Sequence, residues 1–414
     1  MSEILIIGAG PAGALAAVHL RRLGHEVLVL EKQQFPRFSI GESLLAQSLA
    51  LIEQAGLLEV VQAAGFQFKN GAAFAWQDRY AAYNFAQKSS PGPSYTFQVP
   101  RAEFDHLLIR EAEKLGADVR FRCETLSVDF SDERPRVGWR DADGALHEHC
   151  PRFVLDASGF ARTLPRLLGL ESPSNQALRI ALYTQIHDRI PAGAFDRQKI
   201  LVNVHPEHRD VWYWLIPFSD GRCSIGVVGP AAFMDARSGS LDERLWALQR
   251  EVPRLKQLLQ HAEPVFAAGE LRGYSANVSR MAGPGFALLG NAAEFLDPVF
   301  SSGVTIALKS AELVAPLVSR QLCGGTVDWQ QEFEAPLRYG VETFRAFVDT
   351  WYDGRLQDIF FHEAKDTKIS RMICSVLAGY AWDRDNPYTG PLALRRLDAL
   401  ARTIRRSIPS STGG

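Results

Sequence analysis

ILIIGAGPAG, residues 4 to 13, decides the fold. Four apolar residues, Ile4 to Ile7, read as a short buried strand. Gly8, Gly10 and Gly13 then supply G-x-G-x-x-G at the start of a helix predicted over Pro11 to Leu23. The first glycine permits the tight turn, and the second lets backbone approach a pyrophosphate past Ala12. The third allows close packing of helix on strand, while the helix N-terminus offers N–H groups and the positive end of its dipole. Gly24 closes the helix, and Glu26 to Leu30 returns as a second buried strand. Glu31, with Lys32 beside it, lies about 20 residues past Gly10, placed to accept from ribose hydroxyls. Strand before, helix after and acid at this offset form a dinucleotide-binding βαβ unit.

Outward from this unit, a helical run at Leu44 to Ala55 precedes strand-like segments around Phe74, Tyr83 and Phe97, with a flexible SSPGPS at Ser89 to Ser94. A helix from Arg101 to Leu115 follows, then strands near Val119 to Arg122 and Phe153 to Leu155. From Arg179 to Gly229 four strand segments (RIALYTQI, KILVNV, VWYWLIPF, CSIGVV) follow one another without helices, which implies an antiparallel sheet. A helix is expected over Leu241 to Leu259 and a strand-turn-helix over Phe286 to Ser319. Residues beyond Asp328 read as helical, ending in an Arg-rich segment and a disordered SSTGG tail.

The 414 residues predict two to three folded units at roughly 150 residues each. Forty-five basic against 47 acidic residues give a net charge of −2, so no basic excess exists for a nucleic-acid backbone. Apolar residues at 46% and charged ones at 22% describe a globular chain. Cys123, Cys150, Cys223, Cys323 and Cys374 form no C-x-x-C pair, an arrangement expected of reduced thiols in the cytoplasm. The histidines show no metal-ligand spacing, so no metal site is expected. No signal peptide or transmembrane segment is expected.

NAD and FAD share the glycine fingerprint. The chain returns to similar chemistry in FALLGNAAEFLDP, Phe286 to Pro298, followed by a helix from Gly303, and a remote segment of this kind completes the site of a long ligand such as FAD. The combination resembles the flavoprotein monooxygenase family of the para-hydroxybenzoate hydroxylase type. That resemblance implies an α/β (α+β) architecture: a Rossmann-like FAD-binding domain (1–72, 100–165 and 275–327), an antiparallel-sheet substrate domain (73–99 and 166–274) and a helical C-terminal region (328–414). It also implies that Arg101 contacts the cofactor and that Asp156 and Gly159, in D-x-x-G, lie against its ADP half. Gly290 and Asn291 would border the ribityl chain, with Asn291 standing where the family carries an acid.

Within that superfamily four segments resemble the flavin-dependent halogenases and their oxidoreductase relatives. FPRFSIGES places Arg37, Ser39, Gly41, Glu42 and Ser43 on the flavin side of the site. FKNG places Lys69 where halogenases present a lysine. WYWLIP carries Trp212 and Trp214 in W-x-W-x-I-P. FLDPVFSSG carries Pro298, Ser301, Ser302 and Gly303, with Val304 next, beside the isoalloxazine and halide site. In the chemistry this implies, reduced FAD and O2 oxidise chloride or bromide to hypohalous acid. A lysine ammonium orients that acid, or the free amine forms a haloamine. The tryptophans would keep organic substrate off the flavin. Each residue also has a plainer reading: Lys69 as a solvated loop lysine, the tryptophans as core packing, and Ser301 or Ser302 as a helix N-cap.

The resemblance implies a halogenase or halogenase-like oxidoreductase acting on a small aromatic substrate, phenolic, pyrrolic or tethered to a carrier protein, with a separate flavin reductase. Phe300 occupies the place of an acid in the tryptophan-halogenating branch, so free tryptophan is a poor substrate. An aromatic hydroxylase or dehydrogenase, a reductase of the geranylgeranyl-reductase kind, and a non-catalytic flavin-binding subunit stay open. Arg395, Arg396, Arg402, Arg405 and Arg406 could form a basic helix face toward an acidic carrier protein or membrane surface, or simply a solvated one.

Overall fold

The computed structural model describes residues 2–174, 176–363 and 366–407. The SSTGG tail lies outside the described residues.

The opening apolar run forms the strand Ile4–Ile7, buried on both faces, at the centre of a six-stranded sheet. It pairs in parallel with Val27–Glu31 on one side and Phe153–Asp156 on the other. Asp118–Phe121 and Phe286–Leu288 extend the sheet in parallel at its two ends, and Ala282–Gly283 closes one edge antiparallel. Such near-continuous apolar strands need helices on both faces. The helices Arg101–Lys114 and Ser302–Leu322 pack against the helix Pro11–Arg22.

The second sheet holds the strands Arg179–His187, Lys199–Val204, Trp212–Pro217 and Arg222–Pro230, joined by Gly71–Trp76 and Arg79–Asn84. It is not wholly antiparallel as the strand succession implied. Lys199–Val204 runs parallel to Gly71–Trp76, a pairing between segments far apart in the chain. Its two faces separate cleanly by the two-residue period of a strand. Tyr213, Leu215, Ile225 and Val227 pack under the helices Leu241–Glu251 and Pro253–Leu258. Trp212, Trp214, Ile216 and Val202 face the main core.

Other departures have local causes. The helix expected over 241–259 is broken at Val252, because Pro253 has no N–H and opens a new helix. The helical run from Leu44 begins only at Ala46, since Leu45 is extended. Three strands unread in the sequence, Glu124–Asp129, Arg136–Arg140 and Leu146–His149, form a small antiparallel sheet. The C-terminal region is helical, with Ala335–Tyr352, Arg355–Phe360, Thr367–Leu377 and Ala393–Ser407. In the last of these Leu397, Ala401 and Ile404 are buried, while Arg402 and Arg405 pair with Asp398 and Asp358.

Candidate cofactor cavity

A cavity of about 620 Å³ runs from the glycine loop to the core-facing side of the second sheet. Its floor at one end is backbone. Gly8 has φ +98°, and a Cβ there would lie 2.5 Å from the Ala157 carbonyl oxygen. A Cβ on Gly13 would lie 1.9 Å from the Gly8 carbonyl oxygen, so Gly13 packs helix on strand rather than lining the cavity. Gly10 caps the helix without any side-chain hydrogen bond, leaving its first N–H groups for an anion. Glu31 borders the same end, where its carboxylate accepts from the Ala9 N–H at 2.8 Å and the Gln33 N–H at 2.9 Å. Lys32 sits at the rim, paired with Glu124. Asp156 is fully buried behind this end and shapes it indirectly. Its oxygens accept from the Ser158 and Leu164 N–H groups, holding the turn that presents Gly159, while burial raises its pKa.

The middle of the cavity is walled by residues 37 to 43. Arg101 grips Asp105 bidentately, at 2.7 and 2.9 Å, and donates to the Ile40 carbonyl at 2.8 Å. Arg37 reaches the same carboxylate at 3.1 Å. Both guanidinium groups and Ser39, Gly41, Glu42 and Ser43 line the space. The Glu42 side chain is 1% exposed and hydrogen-bonded by Gln185. Burial pushes its carboxyl up to about 7, against the lowering effect of hydrogen bonds from Ser224 and Gln185.

At the sheet end Trp212, Trp214 and Ile216 line the cavity, as do Asn291, Pro298, Ser301, Gly303 and Val304 from the turn and helix start. The Trp214 Nε1 donates to the Ser224 hydroxyl at 3.0 Å. Ser301 is held left-handed at φ +56° as the N-cap of Ser302–Leu322, yet its side chain makes no capping bond. The first N–H groups of that helix therefore stay available at the cavity. Ser302 is 2% exposed and lies outside the lining, as does Gly290, whose N–H donates to Ser310.

Lys69 is not brought to this space. It ends the strand Gln67–Lys69, is 1% exposed, and its Nζ donates to the Leu44 carbonyl at 2.7 Å. Phe85 lies beneath it, with the ring centroid 5.4 Å away. Desolvation, with no carboxylate paired to it among the described residues, lowers its pKa to about 7. The amine is thus neither a solvated loop group nor a cavity wall. It reaches the site only through Leu44, one residue beyond the lining segment.

Several residues at the site carried no signal in the sequence reading. Phe38 lines the mouth and stacks on Tyr183, with centroids 5.7 Å apart. Gln185 and Ser224 meet Glu42 from two strands, and nothing in their local spacing marks them. Asp297, quoted within a motif but given no role, accepts from Tyr274 at 3.0 Å and Tyr352 at 2.7 Å.

The arrangement suits FAD: a floor of backbone at Gly8 and Gly10, two open helix N-termini, and one continuous space between them. Glu31 would hold the ribose, Gly8 to Ala12 the pyrophosphate, and residues 39 to 43 with 298 to 304 the ring system. Among the described residues no cluster could hold a metal ion, and no helix is long and apolar enough to cross a membrane. Residues 1–308 match the family described as FAD binding domain. A flavoprotein/dehydrogenase structure from Cytophaga hutchinsonii is 39% identical, with a TM-score of 0.94 over 98% of this chain and 99% of that one. A tryptophan 2-halogenase of Chondromyces crocatus is 31% identical across 79% of this chain, and the match spans 62% of the halogenase. A 1H-pyrrole-2-carbonyl-[peptidyl-carrier protein] brominase of Pseudoalteromonas luteoviolacea is 30% identical over 80% of each chain.

Proposed function

Because the chain belongs to the FAD binding domain family and is an FAD-dependent oxidoreductase related to flavin-dependent halogenases, we propose that it halogenates an aromatic substrate with halide and O2. Reduced FAD, delivered by a separate reductase, supplies the electrons that activate O2. The observation carrying the reading is Lys69, an amine buried with no acid partner among the described residues, whose pKa desolvation lowers to about 7. Burying an unpaired ammonium costs stability, so packing alone gives no reason to keep a lysine there.

The roles follow from position. The open N-terminus at Ser301 to Val304 attracts halide toward the cavity. Trp212 and Trp214 fill the opposite wall and hold organic substrate away from the flavin. Lys69 takes up the hypohalous acid beyond Leu44, as an ammonium donor or as an amine that takes the halogen from oxygen to form a haloamine and releases water. The substrate is phenolic or pyrrolic, free or tethered as the brominase relative's name describes for that enzyme. The protein works in the cytoplasm, where its free cysteines stay reduced.

A halide-free oxidoreductase is the second reading. It is favoured by the Lys69–Leu44 bond, which turns the amine from the cavity, and by the 39% identity to the flavoprotein/dehydrogenase. The holoenzyme is reduced anaerobically, then mixed with O2, bromide and a panel of phenols and pyrroles. Under the halogenase reading mass spectrometry detects a carbon–bromine bond, and Lys69→Ala abolishes it while flavin reoxidation continues. Peroxide or hydroxylated product without bromine, or undiminished bromination in Lys69→Ala, overturns it.

A further inference from the structure

A chain of hydrogen bonds joins two lining segments of the cavity through a residue that lies outside the lining. The Trp212 Nε1 donates to the Tyr352 hydroxyl at 2.9 Å, and that hydroxyl donates to the Asp297 Oδ2 at 2.7 Å. The direction is forced. An indole N–H can only donate, so the phenol accepts from Trp212 and its single proton goes to the carboxylate. The other oxygen of Asp297 accepts from the Val299 N–H at 3.0 Å, within the turn that carries Ser301 to the cavity. Tyr274 donates to the same carboxylate at 3.0 Å, and the Arg179 guanidinium lies over the Tyr352 ring, 3.3 Å from its centroid.

Four separate segments converge here: the second sheet, residue 274, the turn at 297, and the end of helix Ala335–Tyr352. Trp212 and Ser301 line the cavity and Tyr352 does not. Asp297 is 1% exposed. Apolar residues would fill this place without burying a carboxylate, so the chain adds direction rather than volume.

We propose that Tyr352 is a positioning residue, whose hydroxyl ties the Trp212 ring to the Asp297–Ser301 turn and thereby fixes the gap between the aromatic wall and the helix N-terminus. The inference deepens the halogenase reading and rests on it for its purpose. A gap that admits halide and refuses an aromatic ring tolerates little displacement, and neither wall alone sets it.

The test has two arms on the holoenzyme. In the first, protein labelled with 5-fluorotryptophan is followed by fluorine NMR, with the Trp212 resonance assigned by its loss in Trp212→Phe. Asp297→Asn, made at the far end of the chain, is expected to shift the Trp212 resonance, and to shift it no further in a Tyr352→Phe background. An unmoved resonance in Asp297→Asn, or an equal shift in both backgrounds, overturns the proposal. Should Tyr352→Phe not fold, Asp297→Asn in the otherwise unaltered protein still decides. In the second arm bromide is titrated against the visible spectrum of the bound flavin. Tyr352→Phe is expected to raise the half-saturating bromide concentration about tenfold, the worth of one buried hydrogen bond, with FAD affinity within about twofold. An unchanged bromide concentration overturns the positioning role. A wild-type protein whose spectrum ignores bromide counts against the halide reading alone, and the first arm then judges the tie.

Discussion

Replacing Lys69 by methionine keeps an unbranched chain of similar length and removes the ammonium. In the folded protein desolvation brings the amine from 10.5 to about 7. The unfolded chain restores the ordinary value. Between these two pKa values the unfolded state holds a proton that the folded state has released, so stability rises with pH across that window. Below pH 7 both states are protonated and the full penalty of the buried charge is present. A shift of this size corresponds to a penalty on the order of 5 kcal/mol. It fades by about 1.4 kcal/mol per pH unit above pH 7.

Lys69→Met escapes the penalty and loses the bond to the Leu44 carbonyl, worth about 1 to 3 kcal/mol, with the ammonium's contact over Phe85. The variant is therefore expected to be the more stable protein at pH 6 and to lose that advantage as pH rises. Urea unfolding of both holoproteins between pH 6 and 9.5 measures this, and the difference cancels every titration they share. A difference that does not change with pH would refute the reasoning, since the amine would then keep its proton in the folded state.

Glu42 titrates in the opposite sense. Its folded pKa of about 7 lies above the unfolded 4.5, so stability falls as pH rises between them, by on the order of 3 kcal/mol in all. Glu42→Gln is expected to flatten that fall in the same unfolding assay, and an unaltered pH profile would show the carboxylate already ionised at pH 5. Gly13→Ala forces a Cβ against the Gly8 carbonyl and is expected to abolish FAD retention, read as the ratio of flavin to protein absorbance after gel filtration. Full flavin content would contradict the packing. Arg101→Lys loses the bidentate grip on Asp105 and with it the aim of the bonds to the Ile40 and Gly41 carbonyls, and is expected to weaken FAD binding by about 2 kcal/mol, checked by fluorescence titration of the apoprotein.

The parts of the fold legible in the sequence are those whose cause is local. The apolar run before Gly8, the acid at Glu31 and the alternation through Trp212, Trp214 and Ile216 each carry a period or offset that backbone geometry imposes. The strands Glu124–Asp129, Arg136–Arg140 and Leu146–His149 escaped because most of their side chains are solvated, and the one buried alternation, Val137 and Trp139, is only two residues long. The break at Pro253 was legible by the rule that proline cannot continue a helix, but amphipathic spacing continues across it. Lys69 ends a short strand that the sequence did not mark, and what its amine touches depends on Leu44, 25 residues away. The partners of Tyr352 lie 55 and 140 residues off, and no window along the chain contains them.

The two readings of this flavoprotein differ in one physical matter, which is whether Lys69 can leave the Leu44 carbonyl. The same desolvation that lowers its pKa bears on that bond. As an ammonium it makes a charge-assisted hydrogen bond, worth about 1.5 to 3 kcal/mol, and as a neutral amine an ordinary one nearer 1 kcal/mol. Deprotonation therefore supplies the nucleophilic lone pair and loosens the latch in a single step. Leu44 directly follows Ser43 in the wall, and its N–H is held by the Phe97 carbonyl at 3.1 Å. That bond holds the Leu44 backbone, so any separation from its carbonyl has to come from the side chain of Lys69. Under the proposed halogenase role, loss of that proton is the condition for the amine to leave the carbonyl and turn toward the cavity. A purely structural latch has no need of a pKa near neutrality, and an apolar side chain would pack there at lower cost.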